Sequence, residues 1–76
     1  MQVVGVGTSL VEWTAALATG GCPVTTLVAP RPTAAALAAL APPCVLVFGA
    51  AAARARWRTA LAGRGLVELT DFVFVA

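Results

Sequence analysis

Four short runs of apolar, β-branched or aromatic residues punctuate the chain: Gln2 to Val6, Val24 to Val28, Cys44 to Phe48 and Phe72 to Ala76. None alternates polar with apolar, the pattern of strands covered on both faces rather than on one. Between them lie three segments rich in alanine and leucine, each long enough for a crossover helix. Spacing of this kind predicts βαβ units with parallel strands, because hairpins need only a few linking residues.

Local signals mark the helices. Ser9 followed by Glu12 has the form of a capping box, with Gly20-Gly21 as the stop and Pro23 as a barrier to restarting. Pro32 opens a second helix over Thr33 to Ala41, and Pro42-Pro43 closes it. A third is predicted from Ala50 to Ala62, ending at Gly63, with Trp57 and Leu61 one turn apart on a buried stripe. Gly65 to Asp71 is then a connector, with Leu66 and Leu69 tucked under the sheet edge.

The expected architecture is α/β in the order β-α-β-α-β-α-β, a single domain over residues 1–76 with a four-stranded parallel sheet and helices on both faces. Right-handed crossovers suggest the strand order 3-2-1-4, which puts the first two helices on one face and the third alone on the other. One helix cannot cover four apolar strands, so a homo-oligomer is expected to bury the remainder.

Composition narrows the function. Of 76 residues, 61% are hydrophobic and 11% charged, which excludes intrinsic disorder. Alanine fills 18 positions, and the chain has no His, Tyr, Lys or Asn and a single Ser. A Schiff-base lysine, a P-loop, a histidine general base and a His-based metal site are therefore ruled out. The acids Glu12, Glu68 and Asp71 form no pair suited to acid–base catalysis, so no catalytic residue and no enzyme activity are expected. A net charge of +2, carried by five arginines, is too small for a nucleic-acid surface. Arg54 and Arg58 would share a helix face that reads as solvated, while Arg56 points elsewhere.

Pro32 to Ala53 is an uncharged stretch of 22 residues, the length of a membrane span. Pro42-Pro43 breaks it, and buried α/β packing accounts for the same hydropathy. A small membrane-associated protein built on that stretch is kept as a minor alternative. Cys22 and Cys44 precede strands that the 3-2-1-4 order makes neighbours; free thiols are expected, with a disulfide as the alternative. Two cysteines and a start without a basic leader point to the cytoplasm.

The residues that could hold a ligand lie at the carboxyl ends of the strands. Gly5-Val6-Gly7-Thr8-Ser9-Leu10 joins the first strand to the first helix, where free amides attract a phosphate. The same turn also reads as a plain strand-to-helix bend. Arg31 follows the second strand in Ala29-Pro30-Arg31-Pro32, as a phosphate contact or a solvated side chain. Gly49 ends the third strand at the same edge.

The stretches VVGVGTSLVEWTAALATGGCPVTTLVA and VLVFGAAAARARWRTALAGRGLVELTDFVFVA resemble the first part of a Rossmann-type nucleotide-binding domain, most of all the regulator-of-potassium-conductance (RCK/KTN) domains. That resemblance implies a minimal Rossmann-like fold and a cytosolic, dimerising regulatory module that binds NAD(P)(H) or an adenine nucleotide. Gly5, Gly7 and Gly49 match the pattern. Leu10 replaces its third glycine, Ala29 its ribose-binding acid and Ala50 a usual Asp. The leading expectation is therefore a non-enzymatic interaction module with an unidentified protein partner, a degenerate nucleotide site, and no cofactor or metal. A regulatory domain that still binds a nucleotide through Gly5, Gly7, Thr8, Ser9, Arg31 and Gly49 is the alternative.

Overall fold

The computed structural model describes Met1–Val75, so the last residue of the fourth expected strand, Ala76, lies outside it. Strands β1 (Gln2–Gly5), β2 (Thr25–Val28), β3 (Cys44–Val47) and β4 (Phe72–Val75) alternate with helices α1 (Gly7–Thr19), α2 (Ala34–Ala38) and α3 (Ala51–Gly63). All four strands pair in parallel in one sheet, so the chain is an α/β protein of the minimal Rossmann-like kind.

The strand order is β2-β1-β3-β4, not the expected 3-2-1-4. Side-chain polarity supplies the reason. β1 is buried along its whole length and Leu46 of β3 is fully buried, so these two strands belong at the centre. β2 carries Thr25 and Thr26, both exposed, and belongs at an edge. The helix assignment changes with the order. The register puts Val3, Thr26, Val45 and Val73 in one row, and Gly5, Val28, Val47 and Val75 in another. On that side α1 packs Leu10, Trp13 and Leu17 against Val3, Val45, Val47 and Val75. On the other side α2 and α3 together cover Val4, Leu46 and Phe72 with Ala36, Trp57 and Leu61. One face still has a single helix, but that helix is α1 rather than α3.

The helix ends also depart from expectation. α1 begins at Gly7, two residues before Ser9, with Val6 as N-cap and no side-chain cap, so Ser9 and Glu12 form no capping box. Gly7 turns the chain directly from strand to helix at φ 67°, which leaves Ser9 already inside the first turn. The predicted stop holds: Gly21 sits at φ 85°, and the amides of Gly20 and Cys22 bond the carbonyls of Ala16 and Leu17.

α2 is five residues long, not the nine expected from Thr33 to Ala41. Thr33 caps it, its hydroxyl accepting from the Ala36 amide at 3.1 Å. It ends early because Gln2 of β1 takes over its last backbone groups. Gln2 Nε2 donates to the Ala39 carbonyl at 3.0 Å, and Gln2 Oε1 accepts from the Ala41 amide at 2.8 Å. The Cys44 thiol donates to the same oxygen at 3.3 Å. Gln2 is the only buried polar residue among those described, and three groups around it account for both ends of its amide.

Leu66 packs against the larger core as expected, but Leu69 does not tuck under the sheet. It is 83% exposed at φ 72°. A tight turn holds it there: the Asp71 amide donates to the Val67 carbonyl, and Asp71 Oδ2 accepts from the Val67 amide, both at 2.7 Å. The stretch from Pro32 to Ala53 divides into α2, a cis Pro42–Pro43 bond, β3 and the start of α3. Among the described residues, no helix is long and apolar enough to cross a membrane.

Candidate functional site

Chain reversal in an open α/β sheet leaves a crevice where neighbouring strands send their helices to opposite faces. Here that point lies between β1 and β3, since α1 leaves to one side and α3 to the other. Gly5 and Gly7 stand on one lip and Gly49 on the other, with exposed Thr8 and Ser9 in the first turn of α1. Five of the six residues expected to bind a ligand thus lie at the carboxyl ends of the two central strands and the start of α1.

The two glycines on the first lip do different jobs. A Cβ on Gly5 would stand 3.2 Å from both Cβ and the carbonyl oxygen of Val47, tighter than ordinary contact, so Val47 would have to give by a few tenths of an ångström. A Cβ on Gly7 would meet nothing within 4 Å; what Gly7 supplies is its left-handed backbone. Leu10, in place of a third glycine, is buried and packs with Val3 and Val47. It fills the contact between helix and strand that a glycine would leave closer.

Arg31 is at the same edge of the sheet but beside β2, one strand beyond the crevice. It lines a separate cavity of about 260 Å³ with Ala29, Pro30, Thr33 and Ala36. It makes no ion pair among the described residues. The sixth expected residue is therefore not brought together with the other five.

Two of the arginines of α3 are engaged within the fold. Arg54 Nε donates to the carbonyl of Phe48 at 2.5 Å, pinning the start of α3 to the end of β3 next to Gly49. Arg58 makes a two-pronged pair with Glu68, at 2.8 and 3.2 Å. Both guanidinium groups lie over the Phe74 ring, at 5.8 and 4.9 Å from its centroid. The hydrogen bond from Arg58 holds the Glu68 carboxyl below its ordinary range and raises the guanidinium in turn. The expected shared face of Arg54 and Arg58 is present, but it is occupied by Phe74 and Glu68 rather than simply solvated.

Cys22 and Cys44 are free thiols. The corrected order places β1 between the strands they precede, so they are not on neighbouring strands. Burial pushes the Cys44 thiol up, away from its reactive thiolate form. No cluster among the described residues has the donors to hold a metal ion. Sequence reasoning missed Gln2 and Arg54, whose partners are mostly backbone carbonyls and an amide, with the Cys44 thiol and the Phe74 ring, far off in sequence. Comparison of the chain with protein-family models, curated proteins and solved structures found no match.

Proposed function

We propose that this chain is a non-enzymatic α/β interaction module that works as a homo-oligomer, with a nucleotide crevice that has lost its recognition groups. The carrying observation is the chemistry of the switch point. Its two lips offer Gly5, Val6, Gly7, Thr8 and Ser9 on one side and Gly49 and Ala50 on the other, without a titratable side chain. Ala29 stands where a ribose-binding acid would, and Arg31 is displaced to another cavity. The second support is the sheet itself, with α1 as the sole cover of one face. Free Cys22 and Cys44 favour a reducing, cytoplasmic setting. In this reading the likeness to the regulator-of-potassium-conductance domains is one of fold, and the ligand does not carry over.

A second reading keeps the nucleotide. It is favoured by the glycine-lined start of a 13-residue helix at the switch point, where phosphate would meet free amides. Thermal melts with and without NAD, NADH, NADP, NADPH, ATP and ADP separate the two. A nucleotide at about 100 times its Kd adds about 2.7 kcal/mol, a rise of roughly 10 °C or more for a domain this small. The leading reading predicts no shift with any of the six. A shift abolished by Gly7→Val would overturn it in favour of the regulatory reading.

A further inference from the structure

We infer that the rim of the α2–α3 face, at the carboxyl ends of the strands, docks an acidic segment of a partner protein, with Arg31 and Arg56 each taking one carboxylate. This rests on reading the chain as an interaction module and names the chemistry of its partner. Two hollows stand side by side on this rim. One, of about 260 Å³, lies between β2 and α2 with Arg31 and Thr33 on its wall. The other, of about 470 Å³, is bounded by Pro32 and by Ala55, Arg56 and Thr59 of α3. Pro32 separates them, since its chain neighbours line the first and it lines the second itself.

Both guanidinium groups are free, and both backbones are held in place. Neither Arg31 nor Arg56 makes a side-chain hydrogen bond, ion pair or ring contact among the described residues, whereas Arg54 and Arg58 are engaged with Phe48, Glu68 and Phe74. Pro30 and Pro32 fix their own φ, and Pro32 also confines Arg31 to extended backbone. The Thr33 amide donates to the Arg31 carbonyl at 2.9 Å and closes the bend. Arg56 stands in the second turn of a 13-residue helix anchored by buried Trp57 and Leu61. Backbones fixed in this way lose little freedom when a partner binds.

The charge distribution selects the partner. The three acids of the chain lie away from this rim: Glu12 on α1, across the sheet, and Glu68 and Asp71 in the turn before β4, at the opposite edge. Two exposed arginines with no acid near them leave an uncompensated positive patch, and each Arg fork matches a carboxylate with two parallel bonds. Two cations are too few for a nucleic acid, which is gripped through many phosphates, or for an anionic membrane, which is met by clusters of about 4–8 Lys or Arg. The Pro32 ridge between the hollows disfavours one small anion bridging both. An extended peptide sets alternate side chains on one side roughly 7 Å apart, so a single segment lays a carboxylate in each hollow as it crosses the ridge.

The test is fluorescence anisotropy of a labelled synthetic peptide that alternates Glu with Ala, titrated with the full chain at low ionic strength. Wild type should bind it saturably and lose affinity as salt is added, and the same peptide with Gln for Glu should not bind. Arg31→Gln and Arg56→Gln, both at exposed positions, should each weaken binding by about threefold to fivefold. Arg64→Gln, at the far end of α3, should leave it unchanged. Circular dichroism verifies that each variant folds. No saturable binding by wild type, or losses at positions 31 and 56 no larger than at 64, overturn the surface. Competition identifies the occupant. Glutarate or inorganic phosphate that displaces the peptide at equal charge concentration overturns a peptide site. So does a single-stranded oligonucleotide or a phosphatidylserine vesicle that binds more tightly through the same two arginines. Sedimentation of the same samples keeps the two readings apart. Peptide binding by a wild-type monomer supports this surface without self-association, and a wild-type dimer that ignores the peptide removes the surface alone.

Discussion

Replacing Gln2 by Leu removes one buried side chain that three distant groups depend on. Leucine is close in size and keeps the core side of β1 filled, so the loss is one of hydrogen bonding rather than volume. The Ala39 carbonyl and the Ala41 amide lose their partner, and the Cys44 thiol loses its acceptor. Each backbone group left without a partner costs about 1–3 kcal/mol when dry. These two are partly buried and regain some water, so the expected loss is about 2–4 kcal/mol in total. A 76-residue domain has roughly 4–11 kcal/mol to lose, so the effect is a large share of the whole. Urea unfolding followed by far-UV circular dichroism measures it, and the melting point should fall by at least about 8 °C. Amide exchange localises it: Ala41 should lose protection while the amides of α3 keep theirs relative to global stability. A loss below about 0.5 kcal/mol, or an Ala41 amide as protected as in wild type, would refute the reasoning.

Other substitutions separate conformation from space and charge from burial. Gly5→Ala should destabilise by about 1–3 kcal/mol, through its tight contact with Val47. Gly7→Ala should cost about 1–2 kcal/mol by backbone strain alone. In a Gly5→Ala, Val47→Ala double mutant part of the Gly5 penalty should be relieved, and no change at position 47 should relieve Gly7→Ala. Because Glu68 has a lowered folded pKa, its contribution to stability is present above the unfolded value and is lost as pH falls through the folded value. Glu68→Gln should therefore flatten the acid limb of stability against pH, and an unchanged limb would contradict the Arg58 pairing. Iodoacetamide should modify Cys22 alone in the native chain and both cysteines in urea; rapid native labelling of Cys44 would contradict its burial.

The strands and their parallel sense were legible because continuous apolar runs with helix-length spacers leave few other arrangements. Trp57 and Leu61 fell on the buried stripe their spacing suggested. Strand order was not recovered by chirality rules alone, which permit both 3-2-1-4 and 2-1-3-4. The deciding residues were Thr25 and Thr26, whose polarity marks β2 as an edge, and that signal was available in the sequence. Ser9 and Glu12 misled because a local capping pattern competes with Gly7, whose left-handed backbone starts the helix earlier. The role of Gln2 was out of reach, since its partners lie 37 to 42 positions away. Leu69 misled for a different reason: hydrophobicity suggested burial, while hydrogen bonds between Val67 and Asp71 fix a turn that turns it outward. At the candidate site the glycines were placed correctly at one edge, but only the strand order separates Arg31 from them.

The central claim is that a sheet with one face covered only by α1 completes itself by self-association. Sedimentation equilibrium of the wild-type chain across a dilution series in detergent-free buffer tests it most directly. A mass near twice 7.6 kDa that falls toward the monomer on dilution is the predicted result. A single 7.6 kDa species at every concentration would contradict it.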